Sequence, residues 1–286
     1  MIVIYNQILD LPTDYIEKKL NEYLEEDGAF LDYTTLFTVP KNTIYKAKLE
    51  AEESLIFAGK SIIEVIFKEC NVNIFVKDGD ELEKGVIIAE IIGEASYILS
   101  RERVMLNIIQ RLSGVATQVN KYVKLVKPYG VNVYDTRKTT PGMRLFQKYA
   151  VRVGGAYNHR FNLATDILIK DNHIAAAGGV TEALKNVFKN KKNDINIELE
   201  VISKEQILEG LKFDINGILL DNMSPKQIVE CVDLIRSSVN GKKLFIEASG
   251  GITYDNIVEY AKTGVDGISV GALTHNVKSS NMHLIF

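Results

Sequence analysis

The residues able to do chemistry gather at the ends of apolar runs in the second half of the chain. VNVYDT is followed by Arg137 and Lys138, and DILIK ends in Lys170 before Asp-Asn-His. INIELEV carries Glu198 and Glu200, and GILLDN ends in Asp221 and Asn222. LFIEASGG ends in Ser249, Gly250 and Gly251, and GISVGA contains Gly271. His159 and Arg160 form a basic pair between the first two runs. Guanidinium forks grip carboxylates and phosphates bidentately. Glycine amides directly after a strand let backbone N–H groups approach an oxyanion, so Ser249–Gly251 with Gly271 one unit later reads as a phosphate site. Glu200 and Asp221 are suited to Mg²⁺, which takes oxygen ligands and bridges polyphosphates, or they neutralise Lys138 or Lys170. The chain has no nucleophile-elbow motif, no Ser/His/Asp pattern and no His/Cys cluster for a transition metal. His159, beside Arg160, suits an anion better than a metal. The chemistry these residues support is electrostatic: cations hold an acidic substrate, while a metal and glycine amides hold a phosphorylated one.

Charge is distributed unevenly in the same sense. Seven of the eight arginines lie between Arg101 and Arg160. From Arg101 to Lys170, 13 basic residues against three acids give a charge of +10, while the remainder sums to −13, for a net −3. Such a window suggests a small polyanion or a nucleic acid. A solvated basic face with structural ion pairs is an equal reading on charge alone. A nucleic-acid surface would also need stacking aromatics. Tyr134, Phe146, Tyr149 and Phe161 are too few and too buried in pattern for that, so neither a nucleic-acid nor a membrane partner is expected.

The elements that must position these residues change character near residue 110. Up to that point acidic helices alternate with short strands: an amphipathic helix over 15–25, then strands broken by Asp-Gly turn chemistry over 72–95. From Ser100, a residue suited to capping, the pattern turns helical, with Val104, Ile108 and Leu112 on one stripe and Arg103 and Asn107 on a polar face. Beyond 130 apolar runs alternate with helical stretches, the signature of parallel strands with right-handed crossovers. About six such units point to an α/β barrel, with an open doubly wound sheet as the alternative. Side chains at the carboxyl ends of parallel strands converge on one mouth, where barrels keep their chemistry. The expected organisation is an N-terminal α+β domain over 1–110 and a barrel over 111–275, with 276–286 packing back on the first domain. Cys70 and Cys231 form no metal or redox spacing, which fits a reducing compartment. The N-terminus has no basic region of a signal peptide, and no apolar run approaches the roughly 20 residues of a membrane span. A cytoplasmic location is expected.

The segment DTRKTTPGMRLFQKYAVRVGGAYNHRFNL…ILIKDNHI, with ERVMLNIIQRLSGVAT before it and LLDNMSP, EASGGIT and YAKTGVDGISVGALTH after it, resembles quinolinate phosphoribosyltransferase, also called nicotinate-nucleotide pyrophosphorylase (carboxylating). The resemblance covers about 100–275 and is looser before that. It implies an open, incomplete α/β barrel with an N-terminal α+β sandwich domain. The activity implied is phosphoribosyl transfer from 5-phosphoribosyl-1-pyrophosphate (PRPP) to quinolinate with decarboxylation, giving nicotinate mononucleotide, pyrophosphate and CO₂ in de novo NAD biosynthesis. It implies Mg²⁺, no organic cofactor, and a homodimer with shared active sites. Carried over by residue, Arg137, His159, Arg160 and Lys170 surround the two carboxylates and Arg103 reaches in from the partner subunit. Lys138 lies near the reacting centre, between the acid and PRPP, and both Lys138 and Lys170 contact PRPP. Glu200 and Asp221 engage the ribose hydroxyls and the metal, and Ser249, Gly250, Gly251 and Gly271 cradle the 5′-phosphate.

The chain departs from that pattern at four places. FLDYTT keeps Asp32 and the threonines of an early Gly-Asp-Leu-Thr motif but loses its glycine. Asn162, Leu163, Ala164 and Thr165 replace Gly-Leu-Tyr-Asp. Ile202 stands where an acid or amide is usual, and SSNMHLIF replaces the usual ending. These changes leave open a paralogue that acts on, or binds, another pyridine carboxylate or related acid.

Overall fold

A computed structural model describes residues 5–191 and 194–286. The chain divides into two compact units and passes between them more than once. One contains residues 8–120, 140–155 and 276–286; the other contains 5–7, 121–139 and 156–275 among the described residues. In chain order the elements are α1 (Thr13–Glu26), α2 (Tyr33–Thr38), β1 (Ile44–Ala51), β2 (Leu55–Ile56), α3 (Lys60–Ile66), β3 (Asn71–Ile74), β4 (Glu81–Leu82), β5 (Ile87–Glu94) and α4 (Ala95–Val126). Then follow β6 (Asn132–Tyr134), α5 (Arg144–Val153), β7 (Ile167–Ile169), α6 (Asp171–Ala177), α7 (Val180–Asn190), β8 (Ile197–Val201), α8 (Lys204–Gly210) and β9 (Gly217–Asp221). The last are α9 (Pro225–Ser237), β10 (Phe245–Ser249), α10 (Ile257–Ala261), β11 (Gly267–Ser269), α11 (Ala272–His275) and β12 (Met282–Ile285).

The first unit is built on an antiparallel sheet in the order β12-β1-β5-β3. Along β1, Ala47, Leu49 and Ala51 are buried while Lys46 and Lys48 are exposed, the period-2 alternation of a sheet with one covered face. Register places Ala47 opposite Ile91 and Leu49 opposite Ala89, so the apolar faces coincide. The C-terminal segment supplies β12, antiparallel to β1. Asp32 caps α2, accepting from the Thr35 amide at 3.1 Å, so the altered FLDYTT motif still starts a helix. Val104, Ile108 and Leu112 are buried on α4, as their spacing predicts. Ser100, however, is not its cap. The helix begins at Ala95, and the Ser100 hydroxyl donates back to the Tyr97 carbonyl at 3.2 Å, satisfying itself inside the helix.

The second unit is an α/β barrel left open at one side. Its six strands are parallel, in the order β6-β11-β10-β9-β8-β7; β6 and β7 are the outermost strands, and Tyr157 makes a parallel bridge to Tyr134 on the outer side of β6. The helices between successive strands start where the sequence supplies caps. Ser203 opens α8, and Ser224 opens α9 with Pro225 at its first position and Gln227 closing a capping box. Both cysteines are free thiols. Among the described residues no helix is long and apolar enough to cross a membrane.

Candidate active site

Within this unit, alternate residues of each strand turn the same way. Leu168 and Lys170, Glu198 and Glu200, Leu219 and Asp221, and Glu247 and Ser249 are such pairs, with the second member nearer the carboxyl end. A cavity of about 550 Å³ opens among them. Thr136, Arg137 and Lys138 after β6 line it, with His159, Arg160, Leu168 and Lys170. Glu200, Leu219, Asp221, Asn222, Glu247, Ser249, Gly250, Gly251 and Ser269 complete the lining.

One wall is cationic. Arg160 is 5% exposed and donates through Nη1 to the Asp166 carbonyl at 2.9 Å, while its Nε is buried with no hydrogen-bond partner among the described residues. Arg137 Nε is likewise buried and unpartnered. Burial, and then the neighbouring Arg137 charge, hold the Arg160 guanidinium below its ordinary pKa. Two like charges side by side with unused donors make a site whose repulsion a dianion would relieve.

The segment behind this wall is tied down by buried Asp135. Its Oδ2 accepts from Asn158 Nδ2 and its Oδ1 from the His159 amide, both at 2.8 Å. His159 Nδ1 accepts from the Arg160 amide at 2.9 Å, which leaves the ring proton on Nε2. Nε2 lies 3.3 Å from Glu198 Oε2 and 3.7 Å from Glu247 Oε1. Both glutamates are fully buried, and these three side chains are close enough to surround a metal ion. The protonated Nε2 makes His159 a hydrogen-bond donor toward the acids rather than a metal ligand. Burial, then the Glu198 charge, push the Glu247 carboxyl up to about 8, with His159 and the Ser269 hydroxyl opposing the shift.

The lining also carries acids and the glycine loop. Lys170 Nζ donates to Glu200 Oε2. Burial pushes the Glu200 carboxyl up, with Lys170 opposing and Asp221 reinforcing the shift. Asp221 accepts from Asn222 Nδ2 at 2.6 Å. Gly250 has φ +89°, and a Cβ there would stand 2.3 Å from Asn222 Oδ1 and 2.8 Å from its amide nitrogen. Only glycine fits that conformation and that space. Gly271 does not line the cavity. It abuts Lys138, whose Cδ would lie 3.0 Å from a Cβ at 271, and Thr274 Oγ1 donates to the Lys138 carbonyl at 2.8 Å.

The strand-tip residues therefore come together as their pattern implies, with Gly271 one step back. Arg103 is exposed on α4, belongs to the other unit and lines no part of this cavity. The arginine-rich window does not converge as a whole: Arg101, Arg111, Arg144 and Arg152 also lie in the other unit. Arg101 stacks over Tyr97 at 3.6 Å, and Arg111 donates to the Val277 carbonyl. Asn222, readily taken for a turn residue, lines the cavity in a left-handed conformation at φ +53°. Glu247 lines it too, and its signal was a charge inside an otherwise apolar strand. Of the divergent positions, Asn162 forms a local turn, accepting from the Ala164 amide at 2.8 Å, and Ile202 is 61% exposed.

An open parallel barrel with paired guanidinium groups, acids and a glycine loop at one mouth defines an α/β-barrel protein built around small anionic ligands. The comparisons with known proteins are specific. The family described as quinolinate phosphoribosyl transferase matches through its N-terminal domain at residues 32–113 and its C-terminal domain at 115–285. A Bacillus subtilis protein named probable nicotinate-nucleotide pyrophosphorylase [carboxylating] is 41% identical over 94% of this chain and 92% of its own length. A Methanocaldococcus jannaschii protein of the same name is 41% identical over 95% of this chain and 97% of its own. The solved nicotinate-nucleotide pyrophosphorylase of Francisella tularensis superposes with a TM-score of 0.91 at 36% identity, covering 98% of both chains. The chain belongs to the quinolinate phosphoribosyl transferase family.

Proposed function

We propose that this protein transfers the phosphoribosyl group of PRPP to the ring nitrogen of quinolinate and releases CO₂, forming nicotinate mononucleotide and pyrophosphate. Family membership supports the reaction. The observation that carries it to this cavity is the pair of buried, unpartnered guanidinium nitrogens of Arg137 and Arg160 in a cavity that the Ser249–Gly251 loop also lines. Quinolinate is a dicarboxylate, so fixed donors and a preformed positive field are what binding it requires. Lys170 joins that wall once released from Glu200, and His159 backs it. Lys138 stands between the acid and the sugar. The 5′-phosphate takes the backbone amides of the glycine loop, where Gly251 has φ +63° and open space around it.

Glu200 and Asp221 lie at the carboxyl ends of neighbouring strands and offer only oxygen donors, which fits a hard divalent cation. Mg²⁺ held there would neutralise charge on the pyrophosphate leaving group. The same carboxylates stand where an oxocarbenium-like ribosyl centre would form and favour its positive charge. Once the ring nitrogen is alkylated, its charge stabilises the carbanion left by the departing CO₂, which takes up a proton from water to give nicotinate mononucleotide, so no organic cofactor is required. We assign Arg103 to the cavity of a second copy of the chain: it is an exposed cation on α4 that does not line the cavity of its own chain, and a homodimer with shared sites would use it.

The test is release of labelled CO₂ from carboxyl-labelled quinolinate by the purified protein. Release that requires PRPP and Mg²⁺ and is matched by nicotinate mononucleotide is the expected result. No release, with quinolinate failing to bind, would eliminate the reading.

A further inference from the structure

The segment that carries His159 and Arg160 lies between α5 and β7 and includes no helix or extended strand. Part of its support comes from residues far away in sequence. The Gln7 side chain brackets Asn158: its Oε1 accepts from the Asn158 amide at 2.8 Å, and its Nε2 donates to the Asn158 carbonyl at 3.0 Å. The same Nε2 donates to the Tyr5 carbonyl at 2.8 Å, joining the two N-terminal residues. Tyr5 is buried, and its ring lies 4.2 Å from the His159 ring at 32°. Its hydroxyl donates to Glu198 Oε2, the oxygen that faces His159 Nε2 at 3.3 Å. Tyr5 thus holds the imidazole by its face and, through Glu198, by its N–H. The other nitrogen, Nδ1, accepts from the Arg160 amide. The chain of contacts runs from Tyr5 through Glu198 and His159 to the backbone of Arg160.

We infer that Tyr5 and Gln7 are positioning residues for the acid-binding wall: they fix residues 158–160 so that Arg160 presents its guanidinium to the substrate carboxylates. The identity of that substrate rests on the function proposed above; the positioning does not. Neither residue lines the cavity, so their effect passes through the residues they contact, Glu198 and residues 158–160. It should therefore fall on the acid and spare PRPP, whose phosphate meets a different loop.

Tyr5→Phe keeps the ring and removes only the hydroxyl, and Gln7→Ala removes the bracket. Each is expected to raise KM for quinolinate about tenfold, the scale of a lost hydrogen bond in the supporting network, and to leave KM for PRPP within twofold. ¹⁵N NMR of His159 supplies a readout independent of turnover. The wild type should show Nε2 protonated and Nδ1 unprotonated, as an acceptor, and Tyr5→Phe should shift the Nε2 signal while the protein stays folded. A wild type that does not use quinolinate would overturn the proposed reaction and leave the NMR test standing. Equal changes in both KM values, or unchanged KM values with an unshifted His159 signal in Tyr5→Phe, would overturn the positioning role.

Discussion

Lys170 and Glu200 end adjacent strands and pair directly, ammonium to carboxylate, at the lip of the cavity. The lysine side chain is 42% exposed and the glutamate's only 8%, so the pair is a movable cation held by a fixed acid. The two have different uses in the proposed reaction, and neutralising one should separate them. Glu200→Gln frees Lys170 for the substrate acid while removing a carboxylate from the ribosyl side. Steady-state kinetics should show kcat/KM for PRPP falling by about 10²–10³, the scale of a lost electrostatic contact in the transition state. Affinity for quinolinate should hold or improve. A loss confined to quinolinate would assign Glu200 to the wrong substrate.

The glycine loop offers a contrast between neighbours. A methyl group at Gly250 would overlap Asn222, whereas one at Gly251 would meet nothing within 4 Å, and both residues have positive φ. Gly251→Ala should cost about 1 kcal/mol of backbone strain. Gly250→Ala adds the overlap and displaces Asn222, so its KM for PRPP should rise at least tenfold more than that of Gly251→Ala. Thermal melts and PRPP titrations of the two variants measure both effects; equal behaviour would remove Gly250 from the phosphate site.

Glu247 makes part of the protein's stability depend on pH. It faces Glu198 from β8 and His159 from the segment before β7, with Lys170 above, and burial raises its carboxyl from 4.5 to about 8. Between those values the folded protein keeps a proton that the unfolded chain releases. Its contribution is therefore complete below about pH 4.5 and fades as pH rises through about 8. Glu247→Gln fixes the neutral form. Urea midpoints measured from acid to mildly alkaline pH should fall more steeply in the wild type than in the variant. Parallel curves would mean that Glu247 is ionised throughout.

Much of this site could be read from the order of residues because parallel strands bring their carboxyl ends together. Arg137, Lys170, Glu200, Asp221 and Ser249 needed only the recognition of strands and of their direction. Alternation also marks Glu198 and Glu247 as inward-facing, but a strand pattern does not tell which acid lies opposite which base. Tyr5 was illegible for the same reason, since its partners Glu198 and His159 are distant in sequence and nothing local marks the contact. Ser100 misled because a serine hydroxyl can satisfy itself on the preceding helical turn as well as cap a new one. Asn222 could be read from its strand end, but not its role, because an asparagine with positive φ serves turns and binding loops alike.

Arg103 lines no part of the cavity in its own chain, and the proposed use of it by a second copy has a direct consequence. Arg103→Ala and Arg160→Ala should each be nearly inactive alone. Mixed and allowed to exchange subunits, they should recover activity, because one hybrid site regains both arginines. Activity assayed before and after exchange decides this: no recovery would place each site within a single chain.

The proposed function requires the Arg137 and Arg160 guanidinium groups to bind the dicarboxylate. Calorimetric titration of quinolinate into the wild type and Arg160→Ala tests it most directly. The wild type should bind, and the variant should bind about 30- to 1,000-fold more weakly, the roughly 2–4 kcal/mol of a lost bidentate charge-assisted contact, with PRPP affinity little changed. Equal quinolinate affinity in the two proteins would contradict the account.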